Sequence, residues 1–63
     1  MRITLEAARV NVGLKQSEAA RLIGVTKKTI HSWETGKTVP KSDKIPIICS
    51  VYGRHYDEIK WMR

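Results

Sequence analysis

The apolar positions of this chain recur at helical spacing, and a glycine closes each of the first four runs. Leu5, Ala8 and Val12 stand at i, i+3 and i+7, one face of a helix. Thr4 suits an N-cap and Gly13 a stop, so a first helix is predicted from Thr4 to Val12. A second runs from Lys15 to Ile23, with Ala19, Ala20 and Ile23 inward and Gly24 after it. Two alanines on so short a helix predict a close crossing by a neighbour. A third spans Lys27 to Thr35. Thr26 caps it, Val25 and Ile30 hold the N′ and N4 positions of a hydrophobic staple, Ile30 and Trp33 form its inner face, and Gly36 ends it. A fourth is read from Ser42 to Tyr52, with Ile45, Ile48, Cys49 and Tyr52 on one stripe and Gly53 as stop. With Ser42 as cap, Pro46 falls at N4, tolerable in a first turn but not further in. A short fifth helix, Tyr56 to Met62, turns Tyr56 and Ile59 inward and would not hold alone in water. No stretch keeps a period-2 alternation, so strands are not expected. The pattern predicts one compact all-α domain of five helices over residues 1–63.

Composition narrows the function. Sixty-three residues make one small domain, which buries only about 60% of its unfolded surface and leaves little room for a deep substrate pocket. Twelve Lys+Arg against six Asp+Glu give a net charge of +6, which points to a polyanionic partner, nucleic acid or a membrane surface. The longest apolar stretch, Ile45 to Cys49, is too short to span a bilayer, and Met1 to Glu6 contains no apolar leader core. The expected location is the cytoplasm. The single cysteine excludes an internal disulfide. Cys49, on the stripe of the fourth helix, reads as a small buried hydrophobe. Cys49 with His55 gives two ligands where a structural zinc needs four, and no aligned base activates the thiol. No phosphate-binding loop, zinc-protease or paired-carboxylate motif appears. No catalytic residue, metal or cofactor is expected, and the chain does not read as an enzyme.

The informative stretch is Gln16 to Trp33, within a helix-turn-helix over about 16–35. Ala20 is small where two helices touch, Gly24 allows the tight turn, Val25 plugs it and Thr26 caps the next helix. Ile30 and Trp33 pin that helix inward, so Lys27, Lys28, His31, Ser32 and Thr35 face out. That face carries donors and small polar groups and no acid, which a DNA major groove accepts. Two lysines at a helix N-terminus oppose the macrodipole, a mild cost that a bound phosphate or base edge offsets. Lys27, Lys28 and His31 also fit an ordinary solvated face. Trp33 repeats Ile30 at i+3 and reads as core. Arg9 lies on the apolar stripe of the first helix, four residues after Leu5, and Glu34 on the apolar edge of the third, four after Ile30. A charge near a core needs a partner, so the two are predicted to pair across the domain.

Residues Gln16-Ser17-Glu18-Ala19-Ala20-Arg21-Leu22-Ile23-Gly24-Val25-Thr26, followed by Thr29-Ile30, Trp33-Glu34 and Gly36-Lys37, resemble the helix-turn-helix of lambda-repressor-like, Cro/CI-type regulators, the xenobiotic-response-element family. Pro40, the Ile45/Ile48/Cys49/Tyr52 stripe, Gly53 and Asp57-Glu58-Ile59 fit the rest of that domain. The resemblance implies a five-helix transcriptional regulator that binds double-stranded DNA. It implies that Gln16 bonds a DNA phosphate at the start of the second helix; Lys15 beside it is expected to add charge toward phosphate. It implies that Lys27, Lys28 and Ser32 face base edges with Thr29 and His31 beside them, and that Thr35, Lys37 and Lys41 clamp the backbone. It further implies a homodimer through the last helix, with Tyr56, Ile59, Trp61 and Met62 as interface. Trp61 reads either as a dimer anchor or as a partly packed terminus. The chain departs from the family at Lys15, where Ser or Thr often caps, at Ala19, where Leu is common, and at Arg54, where a small apolar residue is usual. The leading reading is a repressor of the phage or mobile-element type. The rivals are an antitoxin that also binds a toxin protein, and a non-specific binder driven by charge alone.

Overall fold

Thr4 does cap a helix: its Oγ1 accepts the Ala7 N–H at 3.0 Å. From there the computed structural model runs β1 (Ile3–Thr4), α1 (Leu5–Asn11), α2 (Gln16–Ile23), α3 (Lys27–Glu34), α4 (Ile45–Tyr52), a 3-10 turn (Tyr56–Glu58) and β2 (Ile59–Lys60). It describes residues 1–62; Arg63, the last of the expected domain, lies outside the described residues. The fold is mostly helical, as the apolar spacing requires.

The core draws on every helix and on β2. Leu5 and Ala8 come from α1, Ala19, Ala20 and Ile23 from α2, Ile30 and Trp33 from α3, Ile48 and Tyr52 from α4, and Ile59 from β2. Each fully buried isoleucine side chain contributes on the order of 1.5–3 kcal/mol through the area it removes from water. Ala19 and Ala20 are both buried, and α2 packs against α3 and α4.

The start of α2 is closed in a way its lysine cap did not foretell. Glu18 Oε1 accepts the Lys15 N–H at 2.8 Å. A lysine side chain offers only donors, so just this half of a capping box exists. At the other end Gly24 takes φ 88°, a left-handed conformation that costs glycine little. The Gly24 and Val25 N–H groups both return to the Ala20 carbonyl, at 2.8 and 2.9 Å. Thr26 Oγ1 then accepts the Thr29 N–H at 3.1 Å and opens α3.

Four expectations are corrected. First, among the described residues there are four α-helices, not five. After the 3-10 turn the chain extends, and Ile59 and Lys60 pair in parallel with Ile3 and Thr4. A seven-residue helix is too short to hold itself, whereas pairing satisfies backbone groups at both ends of the chain and buries Ile59. Tyr56, expected inward, is consequently exposed. Second, α4 begins at Ile45, not near Ser42. Pro46 then sits at N2, where its missing N–H would have lacked an intrahelical acceptor anyway. Third, Val12 leaves the apolar face. It ends α1 as C-cap and is exposed, while the half-buried Leu14 beyond Gly13 packs on the core instead. Fourth, Cys49 is half-buried rather than buried; that burial still pushes its thiol pKa up.

Candidate nucleic-acid interface

Helix α3 is held by one face and open on the other. Ile30 is fully buried and Trp33 nearly so. The opposite side presents Lys27, Lys28 and His31 exposed, with Thr35 exposed at the C-cap and Ser32 half-buried along the same face. The first turn of α3 contains no acid. Its backbone dipole and its two lysines therefore add to one positive end.

Two hydroxyls on this helix already have partners. Thr29 is half-buried and its Oγ1 lies 2.9 Å from Thr26 Oγ1, inside the cap. Thr35 donates its hydroxyl to the His31 carbonyl at 2.9 Å. Lys37 and Lys41 are exposed in the loop after α3. That loop folds back through the Lys37 N–H, which donates to the Ser32 carbonyl at 2.9 Å and leaves the Lys37 ammonium group as its exposed donor. Lys41 and Thr29 line one open groove of about 400 Å³ together with Val25, Val39 and Lys44.

Beneath α3 lies the predicted ion pair. Arg9 Nε and Nη2 donate to Glu34 Oε2 and Oε1 at 2.7 and 3.1 Å, a two-pronged contact between side chains that are 10% and 4% exposed. The Glu34 carboxylate, as hydrogen-bond acceptor, raises the Arg9 pKa above its ordinary value. Arg9 Nη1 also donates to the Leu14 carbonyl at 2.7 Å, tying α1 to the loop before α2. Two contacts here carry no mark in the sequence. One is that carbonyl. The other is Gln16, half-buried at the first position of α2, whose Nε2 donates to Glu34 Oε1 at 2.9 Å. Lys15, just before it, is exposed.

The expected dimer residues separate. Ile59 is spent in the monomer's own core. Tyr56 and Trp61 stack at 5.5 Å between ring centroids, and Trp61 Nε1 donates to the Tyr56 carbonyl at 2.8 Å. Trp61 is half-buried, and Met62 is exposed.

Two short helices joined by a glycine turn, the second pinned by its apolar edge and bare on its basic side, define a helix-turn-helix DNA-binding protein. The model of the helix-turn-helix family matches residues 5–59, and the chain belongs to that family: it is a DNA-binding transcriptional regulator of the lambda-repressor-like, xenobiotic-response-element type. The family is regulatory and binds double-stranded DNA. Comparison with curated proteins gives no significant match, and comparison with solved structures gives none either. No helix among the described residues is long and apolar enough to cross a membrane.

Proposed function

We propose that this regulator is a sequence-specific repressor of the phage or mobile-element type, acting in the cytoplasm as a homodimer on a two-fold operator. Helix α3 enters the major groove. Lys27, Lys28 and Ser32 address base edges, with His31 and Thr29 beside them; Thr29 contributes its methyl group while its hydroxyl stays in the cap. Lys15, Gln16, Lys37 and Lys41 hold phosphates on either side, and Thr35 joins them once its hydroxyl turns from the His31 carbonyl. The observation that carries this reading is the exposed face of α3, which combines donors with an acid-free first turn on a domain of charge +6. Phosphate contacts supply affinity and register, and base contacts supply the choice of site. The stacked Tyr56 and Trp61 with Met62 form the face on which the second copy packs. Repression follows from occupancy of the operator.

The test is selection of bound duplexes from a random library, with affinity for the winner followed against salt. A two-fold motif bound about 10³-fold or more above random DNA is expected. Lys28→Ala should relax one position of the motif, at about 1–3 kcal/mol. Lys37→Ala should weaken all sequences alike and lower the salt slope by about 1. Equal binding of every duplex with a steep salt slope would refute the repressor reading. A protein partner that co-purifies in that case would point to the antitoxin role.

A further inference from the structure

We propose that Glu34 is a positioning residue for DNA binding: held by Arg9, it fixes the Gln16 carboxamide so that one N–H stays free for a backbone phosphate. The inference rests on the DNA-binding reading above and deepens it at one residue.

A glutamine at the start of a surface helix ordinarily exchanges rotamers, and its amide nitrogen and oxygen exchange places. Here the choice is made by chemistry. A carboxylate has acceptors only, so the amide must turn its Nε2 toward Glu34 and its oxygen away. The 2.9 Å contact to Glu34 Oε1 is of that kind, and a hydrogen bond to an ionised acceptor is about twice as strong as a neutral one. One Nε2 proton is thereby committed to Glu34. The second remains for an acceptor arriving from outside.

A bare carboxylate so near a phosphate would repel it. Arg9 removes that objection. Its guanidinium grips both carboxylate oxygens, at 2.7 and 3.1 Å, and is itself tied to the Leu14 carbonyl at 2.7 Å. Glu34 Oε1 is shared between Arg9 Nη2 and Gln16 Nε2. The pair thus presents no net charge to the DNA while still dictating the orientation of the glutamine. Its anchors come from α1, the loop after it and α3, so the phosphate contact is built on the rigid core. A side chain ordered before the ligand arrives loses less entropy on binding.

The chain offers a clean test, because Gln16 is its only glutamine and Asn11 its only asparagine. The side-chain carboxamide region of a ¹⁵N–¹H spectrum therefore holds two pairs of signals, and exposed Asn11 serves as the mobile reference. In the unaltered free protein the Gln16 pair should be ordered and the Asn11 pair mobile. A random-sequence duplex of about 20 base pairs at low salt suffices as probe, since phosphate contacts do not depend on sequence. On its addition the Gln16 pair should shift together with the backbone amides of α3. Gln16→Ala should weaken binding to the same duplex by about 10-fold or more, the worth of one hydrogen bond to a charged group. Glu34→Gln should weaken it several-fold in the unaltered background and by less than about twofold on top of Gln16→Ala, the signature of residues acting through one contact.

A Gln16 pair as mobile as that of Asn11 overturns the proposal without any variant. So does α3 shifting on DNA while the Gln16 pair stays put, or equal effects of Glu34→Gln in both backgrounds; the DNA-binding reading then survives and the positioning role does not. No shift anywhere in α3 sinks the reading and the proposal together.

Discussion

Replacing Glu34 by alanine should leave Arg9 charged, nearly buried and without its main partner. The two hydrogen bonds from Arg9 and the one from Gln16 disappear, and Arg9 keeps the 2.7 Å bond from its Nη1 to the Leu14 carbonyl. Breaking one side of a fully buried ion pair costs about 3–5 kcal/mol. The Arg9 side chain is 10% exposed and keeps one acceptor, which places the loss near the lower end, at about 3 kcal/mol. For 63 residues at about 0.05–0.15 kcal/mol each, total stability is about 3–9 kcal/mol. The substitution therefore removes a third of the stability or all of it. At about 4–8 °C per kcal/mol for a domain of this size, Tm should fall by roughly 12–24 °C. Urea unfolding followed by far-ultraviolet circular dichroism and by tryptophan fluorescence measures it directly. The paired replacement Arg9→Met with Glu34→Leu should recover most of the loss, because no charge is then stranded. A loss below about 0.5 kcal/mol for Glu34→Ala, the size of an ordinary surface substitution, would refute the reasoning. A paired variant no more stable than Glu34→Ala would refute it too.

Other substitutions probe the rest of the frame. Ile59→Ala should cost about 2–5 kcal/mol in urea unfolding, because Ile59 is 1% exposed and fills the core from β2; a cost under about 0.5 kcal/mol would mean that the terminal pairing does not matter. Gly24→Ala should cost about 1–2 kcal/mol from backbone strain alone, since an added Cβ meets nothing within 4 Å while φ stays at 88°; an unchanged urea midpoint would contradict the left-handed turn. Burial, with a smaller push from Glu34, raises the Tyr52 phenol from 10 to about 12. The fold thus favours the neutral phenol: its contribution of up to about 3 kcal/mol is complete below pH 10 and is lost as pH rises through about 12. Tyr52→Phe should remove that alkaline loss, and an alkaline unfolding limb identical in both proteins would show that Tyr52 does not cause it.

The features readable along the chain are those made by neighbours in sequence. The turn between α2 and α3 needs Gly24, Val25 and Thr26, and each acts on residues within a few positions of itself. The outward set on α3 follows from Ile30 and Trp33 being inward. The Arg9–Glu34 pair spans the domain, yet it too could be inferred, since two opposite charges at the edge of apolar stripes have little else to do. Gln16 shows the limit. Its place in the helix-turn-helix is plain, but nothing in residues 15–18 indicates that its amide reaches Glu34. That contact depends on how closely α2 and α3 approach, which the two buried alanines allow without dictating.

The ends of the chain make the same division. Helical spacing around Tyr56 and Ile59 is real, and Ile59 does turn inward, but as a strand. A segment this short has too few internal hydrogen bonds to choose its own conformation. Its choice falls to whichever partner lies within reach, and that partner, Ile3–Thr4, comes from the opposite end of the chain. Val12 follows the same logic. Its apolar character matched the stripe of α1, but the helix stops at Asn11, the backbone turns at Gly13, and Leu14 takes the core position instead. Local chemistry set the caps that open α1 and α3 and the side of α3 that is buried and the side that is shown. Long-range packing set the conformation of the termini and the orientation of the one glutamine, because there the deciding interactions join residues that no local pattern relates.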